Sequence, residues 1–485
     1  MERSTAILLA LGAYSIALLG LGLAARARTR DAAGFYLGGR TLGPWVAALA
    51  ANASSSSAWS LVGTSGFAYR HGMAALWLIP GCVGGFVLNW WFVAPRLRAR
   101  TGAAVTLTDF LAGDRSRPGQ RAIAVFAAVL TLACLATYVA AQMQAAGSAF
   151  AHAFGGSVGL GIVLGAVVTV AYTLLGGYLA ASITDTLQGL LMAAVAVLVP
   201  AALVVHLGGP GGFVAAVADV PAAEWHQPAG GRDGAAALAF VFGLVGIGLG
   251  YPGQPHAVNK FMGMAPGASM AVARTVGIAW AVVLYGGMLV LGFAGRAALA
   301  LPPGGHEDVL YEASSRLFPP LVDGLVLAAV LGAIMSTVDS QLLVCASSVT
   351  HDLGRSAHGP ARQLRIARAT VLGIGVLATA TALLLPKNVF DNVLFAWAAL
   401  GSAFGPLLLV RLCGRDVAPW WAFGSMLTGA GLAILGHLAP LLGRGFDDRV
   451  LSWLAAFAVA WAGREVPAPR FPAPPAADTV PRPAP

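Results

Sequence analysis

Apolar residues in this chain run in long stretches, and the polar residues collect between them. About 13 such stretches can be marked, near residues 6–25, 45–66, 74–93, 122–150, 158–175, 186–206, 235–264, 272–294, 321–349, 367–385, 389–410, 421–441 and 450–463. Roughly 20 apolar residues let a helix cross a bilayer, whereas membrane-barrel strands are short and alternate apolar with polar positions. The pattern predicts an all-α polytopic membrane protein of about 13 transmembrane helices.

Two of the stretches are interrupted. The second carries Asn52-Ala53-Ser54-Ser55-Ser56-Ser57 at its centre. Serine and asparagine compete for backbone hydrogen bonds and loosen a helix. At membrane depth a loosened backbone is tolerated only where protein covers it or where it lines a polar cavity. The seventh carries Gly246, Gly248, Gly250 and Gly253 together with Pro252 and Pro255, which cannot continue a straight helix. The two breaks lie five spans apart. Five is odd, so two five-span units in series run in opposite directions. Spans 2–6 and 7–11 would form an inverted repeat, each opening with a broken helix. Paired interruptions of this kind point to a transporter binding site.

Charge supports the membrane reading. The composition is 58% hydrophobic and 10% charged, and the net charge of +9 raises the question of a nucleic-acid partner. Placement answers it. With the N-terminus outside, 21 of the 29 Lys and Arg residues, Lys260 among them, fall on the cytoplasmic side. That is the positive-inside bias, and no nucleic acid is needed to explain it. Arg26, Arg28 and Arg30 follow the first stretch, which reads as an uncleaved span and not as a signal peptide. Residues 465–485, rich in proline and alanine, read as a disordered cytoplasmic tail. The expected location is the plasma (inner) membrane. Cys82, Cys134, Cys345 and Cys413 show no paired spacing. No nucleophile elbow, phosphate loop or metal-ligand motif is present, so an enzyme or a primary pump is not indicated.

Candidate chemistry lies inside the spans. Ser336 and Ser340 share a helix face, and Ala333 precedes Ser336 by one turn. With Thr337 they supply hard oxygen atoms suited to sodium. Helix-interior hydroxyls also bond back to the preceding turn, which is the structural alternative. Asp339 is an acid within a span and needs a cation, a donor or a proton. Asp185 is followed three residues on by Gln188, a spacing that fits a helix N-cap as well as a functional carboxylate.

These segments together resemble the sodium:solute symporter family, and within it the proline-carrying members. The resemblance rests on Tyr36-Leu-Gly-Gly-Arg40, Ala53-Ser54 with Trp59, and Gly176-Gly177 through Asp185 to Gln188. It continues through Gly248-Leu-Gly-Tyr251-Pro-Gly-Gln254-Pro255-His256, Met335-Ser336-Thr337 to Cys345, Phe395-Ala-Trp397 and Gly401 to Pro406. It implies a leucine-transporter-type fold with a 5+5 inverted repeat and sodium as the coupling ion. It also implies a sodium site made by the carbonyls of Ala53, Ser56 and Ala333 and the hydroxyls of Ser336 and Thr337. Asp185, with Asp339 and Ser340, would form a second cation or proton site. Solute would sit near Ser57, Trp59, Tyr138, Ile247, Tyr251 and Pro255.

The chain departs from the proline-carrying pattern in four places. Ser55 stands for an aspartate, Asp339 for a serine, Ile247 for a tryptophan of the solute site and Val139 for a cysteine. The first two suggest that one carboxylate has moved across the sodium site. The expected organisation is a first helix with its basic loop (1–35), an inverted-repeat core (36–415), two peripheral helices (416–464) and the tail. The expected function is sodium-coupled import of a small organic solute, proline first. The alternatives are a monocarboxylate or vitamin-type carboxylate as solute, proton coupling, or a transporter-like membrane sensor.

Overall fold

The computed structural model describes residues 2–26, 38–102, 104–113, 118–175, 177–354, 359–384, 389–438 and 448–465. Tyr36, Gly176, the basic stretch 27–37 and the tail 466–485 lie outside the described residues.

Helix forms wherever the apolar pattern predicts it. The helices are α1 (Arg3–Arg26), α2 (Pro44–Ser55), α3 (Thr64–His71), α4 (Gln120–Phe154), α5 (Val158–Leu175), α6 (Tyr178–His206) and α7 (Gly234–Gly246). They continue as α8 (Pro255–Met262), α9 (Met270–Ala298), α10 (Pro320–Ser347), α11 (Pro360–Leu384), α12 (Val389–Leu412), α13 (Pro419–Leu438) and α14 (Asp448–Ala462). Between α3 and α4 the chain is helical from Gly72 to Arg100, in a series of tight and wide turns. Among the described residues, nine helices are by themselves long and apolar enough to cross a membrane. A further pair, Trp59–Trp77 and Ile79–Arg100, passes together across a 64° bend.

The helices form a centre and a rim. α10 is buried along nearly its whole length from Val326 to Ser347, and α12 is buried from Ala396 to Leu412 apart from Leu409. Rim helices expose large apolar side chains, among them Ile16, Val197, Leu198, Val376 and Leu435. A surface of this kind suits lipid, where an apolar side chain meets no water. Trp45, Trp91, Trp420 and Trp421 are also exposed. One end of the bundle is fastened by arginines on carbonyls. Arg40 donates to Gly102 (2.8 Å), Arg98 to Ala268 (2.8 Å) and Arg411 to Phe110 (2.9 Å).

Both expected breaks are present. α2 ends at Ser55 and helix resumes at Ala58. α7 passes into a tight 3-10 segment, Ile247–Gly253, before α8 begins with Pro255 in its first turn. Small residues let this second break approach α12 backbone to backbone. A Cβ on Gly253 would lie 2.6 Å from Gly401 Cα and 2.7 Å from the Leu400 carbonyl. Neither atom can rotate away. Gly253→Ala is therefore expected to cost about 1–3 kcal/mol, as overpacked sites do. A lower unfolding midpoint in detergent checks this; an unchanged midpoint would contradict the close approach.

The fold decides one alternative that the sequence left open and corrects one placement. Asp185 does not cap a helix: α6 starts seven residues earlier, at Tyr178, with Gly177 at its N-cap position. Burial of Tyr178, Ala180 and Ala181 against neighbouring helices extends the helix beyond the apolar stretch. Lys260 is not a loop charge. It lies in α8, 1% exposed, inside the bundle.

Candidate functional site

The break in α2 sets the first part of the site. Ser55 Oγ donates to the Asn52 carbonyl (3.0 Å), and Ser56 turns out of helical geometry at φ −117°, ψ 86°. The Ala53 carbonyl then accepts the Ser56 amide at 3.2 Å and stays open on its other side. Ser336 of α10 reaches that side: its hydroxyl lies 3.2 Å from the Ala53 carbonyl and 3.2 Å from the Ala333 carbonyl. Three of the expected sodium-site residues thus converge. Thr337 Oγ1 and Ser56 Oγ are buried and have no hydrogen-bond partner among the described residues. A buried orphan hydroxyl costs free energy unless something polar meets it. A set of carbonyl and hydroxyl oxygens fits a hard cation and would fit a soft one poorly.

Beyond the break the backbone turns its amides inward. The Ala58 amide donates to Gln142 Oε1 (3.2 Å) and the Trp59 amide to Ser57 Oγ (3.2 Å). Tyr138 of α4 donates its hydroxyl to the same Ser57 oxygen (3.2 Å). The second break supplies the facing wall. Tyr251 and Tyr285 share a hydrogen bond at 2.9 Å, and Tyr285 meets Ser60 Oγ at 3.0 Å. Trp397 of α12 sets its ring edge against Tyr251 and donates to the Ile247 carbonyl (3.1 Å). Ser57, Tyr138 and Tyr251 are each 1% exposed, so this region is closed from both sides. Pro255 marks the start of α8 behind it.

A third cluster is charged. Lys260 Nζ donates to Asp185 Oδ2 (2.9 Å) and Ser182 Oγ (3.2 Å). Ser54 donates to the same Asp185 oxygen (3.1 Å) and shares a hydrogen bond with Ser340 (3.0 Å). Asp339 is on α10, within electrostatic reach of Tyr172, Asp185 and Lys260. It is 1% exposed, and both its carboxylate oxygens lack a hydrogen-bond partner among the described residues.

Two small crevices flank the site. One is lined by Thr106, His256, Lys260, Ser340 and Ser347, the last two in the C-terminal half of α10. The other is lined by Ala58, Val62, Ser148, Glu307 and Asp308. Residues that the motifs did not single out as site members complete the arrangement: Lys260, Gln142, Tyr285 and Trp397. Lys260 had a signal, since an ionisable residue inside an apolar stretch is a functional candidate by default.

Two broken helices that meet at a closed centre are the arrangement of a secondary membrane transporter. The profile of the Sodium:solute symporter family matches residues 35–429, and the chain belongs to that family. It is 36% identical over 442 residues to the osmoregulated proline transporter OpuE of Bacillus subtilis (strain 168), covering 89% of each chain. It is 33% identical over 446 residues to the sodium/proline symporter of Escherichia coli (strain K12), covering 89% of this chain and 87% of that one. Among solved structures, a Na+-coupled sialic acid symporter in a substrate-bound outward-open state matches with a TM-score of 0.78 at 17% identity, over 97% of this chain and all of that one. MHP1, a nucleobase-cation-symport-1 family transporter, matches with a TM-score of 0.53 at 15% identity, over 88% of this chain and 93% of that one. The shared fold is the leucine-transporter type that the resemblance implied.

Proposed function

We propose that this protein imports proline together with sodium. The observation that carries the reading is the convergence of the Ala53 and Ala333 carbonyls on Ser336, beside a helix break. The relatives' printed activities support proline as the solute. Sodium would bind the Ala53, Ser56 and Ala333 carbonyls and the Ser336 and Thr337 hydroxyls, tying α2 to α10. The solute carboxylate would lie near the start of the half-helix that resumes at Ala58, at its positive end. Tyr138, Tyr251 and Trp397 would enclose the ring. The gathering of Arg98, Arg100 and Arg411 at one end supports that end as cytoplasmic, with the N-terminus outside. The crevice at Lys260 would then be the inner path, and the one at Glu307 the outer.

Uptake of radiolabelled proline into proteoliposomes, with and without an inward sodium gradient, tests the reading. Sodium-driven accumulation is expected. Uptake driven equally by a proton gradient without sodium would reject sodium coupling. Failure with proline, beside success with a carboxylate solute in sodium, would reject only the solute.

Asp339 gives a second check. Asp185 is paired with Lys260, and Asp339 is a second buried acid nearby with no basic side chain bonded to it among the described residues. A sodium ion would offset its charge. Asp339→Asn is expected to raise the sodium half-saturation about tenfold, the effect of about 1.4 kcal/mol. An unchanged half-saturation would remove Asp339 from sodium binding.

A further inference from the structure

Outside the site described above, a short helix, Leu107–Ala112, packs against the end of α10, where the chain continues in a wide helical turn, Ser348–Asp352. Asp109 of the short helix meets His351 and Asp352 of the wide turn. One ligand atom from each lies within 4.8 Å of the others. His351 Nε2 stands 2.5 Å from Asp109 Oδ2. Thr106 orients both acids: its hydroxyl accepts the Asp109 amide (3.0 Å) and donates to Asp352 Oδ1 (2.9 Å). The Val105 amide donates to Asp109 Oδ2 (3.2 Å), and the Leu107 amide to Asn259 Oδ1 of α8 (3.1 Å). Asp352 is 5% exposed, whereas the His351 side chain is 37% exposed and keeps one side of the group open to water.

We propose that Asp109, His351 and Asp352 form a binding site for a divalent transition-metal ion of the zinc type, and that the bound ion clamps Leu107–Ala112 to the end of α10. One imidazole nitrogen with two carboxylate oxygens is a donor set for zinc, with water in the fourth position; sodium and magnesium prefer oxygen alone. The two carboxylates repel each other, and a divalent cation between them attracts both. Ligands about a tetrahedral zinc lie roughly 3.3 Å apart, so the imidazole has to draw back from Asp109 by less than about 1 Å. A ring open to water on one side can do this. Wide turns of this kind in helices recur at functional sites. Asp109 and His351 are 242 residues apart, so no ligand motif marks the group in the sequence. Thr106 also lines the crevice beside Lys260. An ion that fixes the neighbours of Thr106 resists opening of that crevice and slows transport. The effect on transport rests on the reading given above; the site itself does not.

Calorimetric titration of zinc into the purified, untagged and chelator-stripped full chain tests the site. One zinc per chain is expected to bind at micromolar concentration and to raise the unfolding midpoint. His351→Gln still offers Asp109 a hydrogen bond but is a poor zinc ligand, and should bind about tenfold more weakly. Asp109→Asn should do the same, and neither variant should gain stability from micromolar zinc. Absence of binding in wild type would overturn the proposal, as would equal binding in wild type and both variants, or displacement of zinc by equimolar magnesium. In proteoliposomes, zinc should slow proline uptake by wild type several-fold, reversibly with chelator, and leave His351→Gln at its zinc-free rate. Zinc bound at these residues without slowing uptake would overturn the clamp. Wild type that takes up no proline even without zinc would count against the transport reading, and calorimetry with the unfolding midpoints would still decide the site.

Discussion

Asp185→Ala is expected to lose most of its folded population in detergent, and Asp185→Ala/Lys260→Met to recover it. Lys260 and Asp185 are joined at 2.9 Å with both side chains out of solvent. Removing the carboxylate leaves an ammonium inside the bundle with hydroxyl partners alone. Breaking one side of a buried ion pair costs about 3–5 kcal/mol, a large share of the stability of most domains. Removing both charges leaves no buried charge unpaired, so most of the loss should be recovered apart from the smaller cost of the space the carboxyl group leaves. Thermal unfolding and chromatographic recovery of the four proteins measure this as a double-mutant cycle. A single variant as stable as wild type would mean that the pair does not form. Equal damage in the single and double variants would mean that Asp185 acts through Ser54 and not through Lys260.

Ser336→Ala/Thr337→Ala is expected to abolish sodium dependence in the usable concentration range. Each hydroxyl that meets a charged partner contributes about 1.5–3 kcal/mol, so each loss raises the sodium half-saturation by roughly 10- to 100-fold. Thr337→Ser keeps the oxygen and should stay near wild type. Initial rates of proline uptake against external sodium give the answer. Ser336 also bridges α2 and α10, and a purely structural role would appear differently. It would lower the maximal rate and the unfolding midpoint while leaving the half-saturation in place.

The two clusters differ in how far sequence could reveal them. Ser336, Thr337 and Ala333 lie within one turn of helix, so their spacing already places them on neighbouring positions. Ala53 could be paired with them only through resemblance, since 283 residues separate Ser336 from Ala53. For Asp185 the local pattern left a helix cap and a functional carboxylate both open. Asp185 and Gln188 have the spacing of a capping motif, but packing carries α6 back to Tyr178 and leaves Asp185 inside the helix. Asp339 was expected with Asp185 and Ser340 in a second cation or proton site. It lies on α10 within electrostatic reach of the Asp185–Lys260 pair.

Sequence by itself determined the helical membrane architecture, the two breaks, their five-span spacing and the asymmetry of basic residues. These are local properties: apolar length decides whether a segment can cross a bilayer, and clusters of glycine, proline and serine decide where a helix must stop. Tertiary structure alone decided that Lys260 is an interior charge and that Asp185 is its partner across 75 residues. It also decided that Trp397 of α12 backs Tyr251 at the second break. No local pattern encodes these pairings, because burial raises the energy of an unpaired charge or polar group and only the packed bundle determines which partner is within reach to lower it.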